Sequence, residues 1–185
     1  MAGLSIFFVV LGLLVLFVIG LYNSLIRSRI QVDNAWAQID TQLKRRHDLI
    51  PNLVNAVKGY MKYEQETLSK IVEARNKAVS AKGVGDIAQA EGELSGLLTR
   101  LFALFENYPD LKASQNVLNL QEQLTTTENQ IAFARQHYND SVMQYNTKIQ
   151  QFPGNIIASM FLFEKKEFFE IPEQEKSVPQ VNLDI

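Results

Sequence analysis

The feature that most constrains this chain is its first 26 residues, which carry no aspartate, glutamate, lysine or arginine. Within them, the stretch from Leu4 to Tyr22 is almost wholly apolar. Its length is close to the roughly 20 residues that a helix needs to cross the hydrocarbon core of a bilayer. A cleaved signal peptide would show basic residues before the apolar core and small residues at a cleavage site, and neither is evident. The sequence therefore predicts a retained single-pass transmembrane anchor over residues 1–26, with the lipid bilayer as its first partner.

The charges that follow the anchor predict its orientation. The positive-inside rule places the more basic flank of a membrane span in the cytoplasm. Basic residues outnumber acidic ones in the stretch after the anchor, which holds Arg27, Arg29, Lys44, Arg45 and Arg46 against Asp33 and Asp40. The rule favours an N-terminus outside the cell and a main domain in the cytoplasm.

Overall composition excludes several classes of function. The formal net charge is -2, which offers no basic excess for nucleic acid phosphates, so no nucleic acid partner is expected. The chain has no cysteine, which excludes disulfides, thiolate metal sites and a lipoprotein anchor.

Beyond the anchor, apolar residues recur at three- and four-residue steps, which predicts an all-α chain. Pro51 is expected to end the first helix near Asp48 and to reverse the chain, because proline lacks an amide donor and clashes with the preceding turn. Further breaks are expected at residues 82–86, 107–110 and 152–155, which are rich in glycine, proline and Asx residues.

These breaks divide the chain into long amphipathic helices joined by short turns. The economical arrangement is an up-and-down antiparallel four-helix bundle over residues 27–163. The fourth helix is expected to be the longest, from about Leu111 to Gln150. Residues 164–185 contain two prolines and an acidic excess, and they are predicted to form an extended or disordered acidic tail.

No familiar constellation of catalytic residues is evident. Neither His47 nor His137 has a glutamate three residues before it, so a di-iron Glu-x-x-His site is absent. The sequence also lacks a His-Glu-x-x-His zinc motif, a phosphate-binding loop and a Gly-x-Ser-x-Gly elbow. The chain is therefore predicted not to be an enzyme and to use no cofactor or metal, and its two histidines are expected to be solvated.

Two charged features remain as candidate sites. The basic patch Lys44–His47 is either a solvated helix end, whose cations offset the helix dipole, or a contact for an acidic partner such as the protein's own tail. Glu64 falls on the apolar side of the predicted second helix. Because a buried carboxylate must be paired, it is expected to meet Arg75 or Arg100.

An aromatic cluster near the end of the chain is the third candidate. Phe161, Phe163, Phe168 and Phe169 lie within nine residues, together with Lys165 and Lys166. They are interpreted either as core at one end of the bundle or as an exposed recognition segment. The candidate partner contacts are thus Arg45, Arg46, Phe161, Phe163, Phe168 and Phe169.

The sequence resembles the LemA family of bacterial membrane proteins over nearly its whole length. The most specific match is the run from Arg45 to Val54, Arg-Arg-His-Asp-Leu-Ile-Pro-Asn-Leu-Val. Weaker matches occur at residues 22–25, 32–36, 57–60, 73–75 and 152–158, and at Glu64. The resemblance implies an N-terminal anchor plus a four-helix bundle, an N-terminus outside the cell and no assigned catalytic residues. The acidic tail departs from the family pattern.

These observations favour a non-catalytic, membrane-anchored scaffold or adaptor. Long apolar seams and the phenylalanine-rich segment suggest that it self-associates as a homo-oligomer and engages other membrane or envelope proteins. The alternative is a membrane-tethered sensor or ligand-binding module that signals through its first helix, which predicts a pocket with convergent polar groups.

Overall fold

A computed structural model describes residues 2–170, which are helical almost throughout and contain no strand. The prediction of an all-α chain is confirmed. The arrangement as an antiparallel four-helix bundle stays a prediction. The four longest helices are unequal: two have 56 and 36 residues, and the next two have 21 and 16. The elements are α1 (Ala2–Val57), α2 (Gln65–Ser80), α3 (Val84–Leu104), a 3-10 helix (Phe105–Asn107), α4 (Pro109–Ala113), α5 (Gln115–Gln150) and α6 (Gly154–Met160).

The N-terminal part of α1 is long and apolar enough to cross a membrane. Its most apolar 18-residue window has a mean hydropathy of 3.1, and none of that window is buried within the described structure. A core helix of a water-soluble domain covers its large apolar side chains. The exposure of this stretch fits a helix whose surroundings are lipid.

Helix α1 does not end at Pro51. It continues to Val57, so the predicted helix end near Asp48 and the reversal at Pro51 are wrong. A proline inside a helix removes the amide that would bond the carbonyl four residues earlier, which here belongs to His47. The Nε atom of Arg75, on α2, donates to that carbonyl oxygen at 3.2 Å. A side chain remote in sequence thus replaces the missing backbone donor, and the helix persists.

The chain reverses seven residues later, between α1 and α2. The amides of Tyr60 and Met61 both bond the carbonyl oxygen of Val57, at 3.0 Å each, and the amide of Glu64 bonds that of Met61. The helix that was expected to begin at Pro51 therefore begins at Gln65.

The remaining breaks lie close to their predicted places. Gly83 has a φ of 84°, a left-handed conformation that favours glycine, and it occupies the N-cap position of α3. Asp86 lies in the first turn of α3, where its negative charge interacts favourably with the helix dipole. The longest break contains the 3-10 helix and α4, so the following helix begins at Gln115 rather than Leu111. It ends at Gln150, as predicted.

The described residues form two compact units, and the chain passes between them within α1 and α5. The first unit comprises residues 2–40 and Phe133–Phe168, and the second comprises Thr41–Ala132 with residues 169–170. The predicted acidic tail beyond residue 170 lies outside the described residues.

In the first unit α1 and α5 are antiparallel. The Nζ atom of Lys148 donates to the hydroxyl of Ser28 at 2.6 Å, whereas the ring of Trp36 lies 5.4 Å from that of Tyr138. Residues later in α1 thus lie beside residues earlier in α5. The two helices bury apolar residues at three- and four-residue steps, together with two from α6: Leu25, Val32, Ala35, Ile39, Ala134, Tyr138, Val142, Tyr145, Ile149, Ile157 and Ala158.

After α6, residues 164–168 form an extended strap along α5. The hydroxyls of Tyr145 and Tyr138 donate to the carbonyl oxygens of Glu164 and Glu167, at 2.9 and 2.8 Å. Between these, the amide side chain of Asn146 exchanges two hydrogen bonds of 2.9 Å with the backbone of Lys166. Burial raises the pKa of both tyrosines, so both remain neutral phenols able to donate.

The second unit has one apolar core. It is formed by the C-terminal part of α1, the loop after it, α2, α3, the short helices and the N-terminal part of α5. Its members are Ile50, Leu53, Val57, Met61, Leu68, Ile71, Ala78, Ala90, Leu94, Leu98, Leu101, Phe105, Leu111, Val117, Leu120 and Leu124.

The bond between Arg75 and the carbonyl of His47 can be tested by a double-mutant cycle. We expect Arg75→Ala to lower the free energy of unfolding by about 1 kcal/mol, because a buried carbonyl loses its donor. In a Pro51→Ala background the restored amide bonds the same carbonyl, so the loss should be smaller. Urea unfolding of the four chains in mild detergent measures the difference. A coupling free energy of zero would contradict this account of how α1 passes Pro51.

Candidate functional site

The second unit encloses a cluster of charged side chains, formed by Arg46, His47, Glu91, Ser95 and Glu128. Arg46 and His47 come from α1, Glu91 and Ser95 from α3, and Glu128 from α5. The helical period explains why α1 turns these two basic residues inward. Leu43, Arg46, His47 and Ile50 are spaced as i, i+3, i+4 and i+7 and share one helix face, whose four side chains are all buried.

The guanidinium of Arg46 is the centre of the charged cluster. Its Nη1 atom lies 3.3 Å from Oε2 of Glu91, and its Nη2 atom lies 3.0 Å from Oε2 of Glu128. The same Nη2 atom donates to the hydroxyl of Ser95 at 2.6 Å. Arginine suits this position because its fork of donors serves several acceptors at once. One side chain of α1 is thereby joined to both α3 and α5.

The second carboxylate oxygen of Glu91 is taken by the neighbouring residue on α1. The Nε2 atom of His47 lies 2.6 Å from Oε1 of Glu91. This short contact is a hydrogen bond between the imidazole and the carboxylate. Both oxygens of Glu91 are therefore bound by consecutive residues of α1.

The burial of these groups differs. The side chains of Arg46 and Glu91 are 2% and 4% exposed, whereas that of Glu128 is 49% exposed. A charge removed from water is tolerated when it is paired and hydrogen-bonded, as Arg46 and Glu91 are. Glu128 closes the cluster at the protein surface, where it also accepts a hydrogen bond from Ser95 at 3.2 Å.

The contacts of Ser95 and His47 within the charged cluster are known in detail. The hydroxyl of Ser95 donates to a half-exposed carboxylate, while His47 is bonded to Glu91, so the serine and the histidine are not arranged as nucleophile and base. Among residues 2–170, no group of three or more histidine or acidic side chains is placed to hold a metal ion. What the arrangement does is hold three helices together.

A surface cleft of about 220 Å³ adjoins the charged cluster. Both polar and apolar side chains line it. Its lining comprises Arg46, Ser95, Leu98, Thr99, Phe102, Leu124, Thr125, Glu128 and Asn129.

The structure separates the residues of the basic patch. Lys44 and Arg45 are exposed, whereas Arg46 and His47 are buried. The expectation that His47 is solvated is wrong, and so is the interpretation of the patch as a solvated helix end, because α1 continues past it. Arg46 pairs with carboxylates of α3 and α5. For the alternative partner, the protein's own acidic tail, the part beyond residue 170 lies outside the described residues.

Glu64 does not take the place predicted for it. It lies in the loop before α2, half-buried, and accepts a long hydrogen bond of 3.5 Å from the hydroxyl of Tyr108. Within residues 2–170 no ion pair joins it to Arg75 or Arg100. The buried carboxylate is Glu91, which sequence reasoning missed together with Glu128. A signal was available, because Glu91 falls at helical spacing between the buried residues Ala88 and Leu94.

The four phenylalanines have different environments. Phe169 is buried, whereas Phe161 and Phe168 are 51% and 39% exposed. The rings of Phe161 and Phe163 lie 4.8 and 5.8 Å from that of Tyr22, on α1. The guanidinium of Arg29 stands 5.3 Å from the centre of the Phe163 ring. Phe169 is thus packed in the interior, whereas recognition of a partner by the exposed phenylalanines stays a prediction.

The structural role of the charged cluster predicts a sharp contrast on α3. We expect Glu91→Gln to lower the free energy of unfolding by about 3 kcal/mol, because it leaves a buried cation undercompensated. Glu93 is the matched control, since its 2.7 Å ion pair with Lys77 is exposed. Glu93→Gln should cost less than about 1 kcal/mol. Urea unfolding of both variants in mild detergent makes the comparison, and equal losses would contradict a structural role.

Comparison with known proteins places these features in a family. The model of the LemA family matches residues 35–183. Protein LemA of Metamycoplasma hominis is 29% identical to this chain, over 92% of this chain and 78% of the relative. Magnetosome protein MamQ 2 of Paramagnetospirillum magneticum and Magnetosome protein MamQ of Magnetospirillum gryphiswaldense are 24% and 23% identical, over 80% of this chain.

The chain spans 64% of the length of each of these two magnetosome proteins, so they are longer relatives. The family match, in contrast, includes most of the present chain. It takes in the second half of α1, with Arg46, His47 and Pro51, and the helices that carry Glu91 and Glu128. On this extent of similarity, the chain belongs to the LemA family.

Proposed function

We propose that the protein is a non-catalytic scaffold or adaptor, anchored in the membrane by α1, that self-associates and engages other envelope proteins. The observation that carries this proposal is that the buried charged groups are bound to other side chains of the protein. The buried ones, Arg46 and Glu91, are bound to each other and to their neighbours, so they hold helices rather than a substrate. Helical surface is then the main feature that the protein presents to others.

A tyrosine patch, made of the exposed Tyr60 and Tyr63 and the half-buried Tyr108, supports a role in binding proteins. Tyr63 is 95% exposed and Tyr60 is 48% exposed. With Gly59, Lys62, Pro109 and Asp110, the patch borders a shallow cleft of about 340 Å³. Tyrosine is enriched among the residues that dominate protein–protein binding energy, because its large ring carries a polar end.

The proposed orientation places this patch in the cytoplasm. It rests on the basic residues Arg27 and Arg29, both exposed, which follow the apolar part of α1. Cationic side chains beside a membrane span are retained on the cytoplasmic side.

The experiment that tests the scaffold proposal combines mass measurement and cross-linking. We expect light scattering in mild detergent to give a discrete oligomer for the full chain, and cross-linking in native membranes to trap the same copies or a partner. Tyr63→Ala should weaken the association about tenfold, as loss of a dominant interface residue does. Phe133→Ala is the control, because Phe133 is 73% exposed and lies outside the tyrosine patch. A strictly monomeric protein with no cross-linked partner would refute the proposal.

The cleft beside Arg46 favours a second candidate, a ligand-binding module that signals through α1. Its convergent polar groups are those that the sensor hypothesis requires. Native mass spectrometry of protein purified from its host membrane should then detect a retained small molecule. Thr99→Trp, which fills the cleft from an exposed position, should remove that molecule. Identical spectra without added mass in both proteins would exclude this candidate.

A further inference from the structure

Residues 149–163, which run from the last turn of α5 to just past α6, contain no charged side chain. The structure leaves many of their apolar side chains uncovered. Phe152 is 80% exposed, Met160 69% and Leu162 85%, with Ile156 and Phe161 close to half exposed. The opposite face of α6 is buried, since Ile157 and Ala158 are 4% and 3% exposed. An apolar surface of this extent is costly to leave in water, so it requires an explanation.

This segment lies against the part of α1 that leaves the membrane. The stretch Leu4–Tyr22 rises ~28 Å, which matches the hydrocarbon core, and the headgroup layer beyond it corresponds to the next few residues of the helix. The ring of Tyr22 contacts those of Phe161 and Phe163, at 4.8 and 5.8 Å. Residues 152–154 line one small cavity together with Leu21, Ser24 and Leu25. The uncharged segment is therefore level with the bilayer surface.

The backbone holds the segment in this place. A Cβ atom on Gly154 would clash with the carbonyl oxygen of Lys148, so the chain folds back on α5 at a distance that only glycine allows. At the other end, Leu162 has a φ of 55°, a left-handed conformation that a leucine rarely adopts. Its side chain is nevertheless almost fully exposed. The strained backbone costs free energy, and exposure of the leucine side chain to water adds to that cost. Contact of the side chain with lipid removes the second cost.

We propose that residues 152–163 form a membrane collar, a second contact with the bilayer that α1 crosses. The segment is too short to span the membrane, so it lies in the plane of the interface, with its exposed apolar side chains at the boundary between headgroups and acyl chains. The continuity of this surface with the exposed apolar surface of α1 identifies lipid as the occupant. The collar attaches the first unit to the membrane surface at a second place, in addition to its attachment through α1.

The chain's lack of cysteine allows a direct test with single-cysteine variants. Full-length protein is labelled with a polarity-sensitive bimane dye at Leu162→Cys and reconstituted into phosphatidylcholine nanodiscs that contain lipid with a headgroup-level nitroxide. We expect a shift of the emission to shorter wavelength and quenching by the nitroxide lipid. Phe133→Cys is the matched control, an exposed apolar position about 26 Å along α5 from its C-terminal end, and it should show neither effect.

The proposal rests on the membrane anchoring of α1, and a label at Leu13→Cys tests that step separately. If the emission of Leu13→Cys is not shifted to shorter wavelength, the anchor itself is refuted. If it is shifted while Leu162→Cys behaves like Phe133→Cys, the collar is refuted and the anchor stands. A shifted emission at Leu162→Cys that the nitroxide lipid does not quench would show that protein covers the segment, which also overturns the proposal. Shift and quenching together establish contact with lipid.

Discussion

The carboxylate of Glu91 lies within a helical core, and the surrounding charges of the second unit are arranged around it. Such a group is tolerated only when both of its oxygens are bound and its charge is matched. Consecutive residues of α1, Arg46 and His47, meet this requirement, and Arg46 also reaches Glu128 on α5. A slip of one helical turn would separate these partners, so the charged cluster fixes the axial register of the three helices. Apolar packing alone defines that register less strictly.

Pro51 lies about one turn further along α1, and the two features depend on each other. If α1 ended near Asp48, the chain after it would not continue the face that places Ile50 and Leu53 in the core. The bond from Arg75 to the carbonyl of His47 removes the usual reason for a helix to end there. His47 thus binds Glu91 through its side chain and accepts a hydrogen bond from Arg75 at its backbone carbonyl. Charge pairing and helix continuity meet within a few residues.

This arrangement explains which features were predictable. The apolar stretch of α1, the turn at Gly83 and the end of α5 at Gln150 follow from local composition, so the sequence predicted them. The passage through Pro51 depends on a donor 28 residues from His47, which no local pattern reveals. The buried acid was assigned to Glu64 instead of Glu91 because the second helix was started too early, which placed Glu64 on a helix face. Once that boundary was wrong, the partner expected for Glu64 was wrong as well.

The strap of residues 164–168 has a further consequence, which concerns evolution. Tyr138, Tyr145 and Asn146 all bind it through its main-chain groups. Every residue except proline presents these groups alike, so the identity of the strap's side chains matters little to these bonds. The two tyrosines and the asparagine of α5, in contrast, are needed for them. The strap is therefore a place where the sequence can drift without loss of its position. Lineages of this family can acquire different exposed charges there while the underlying helices stay the same.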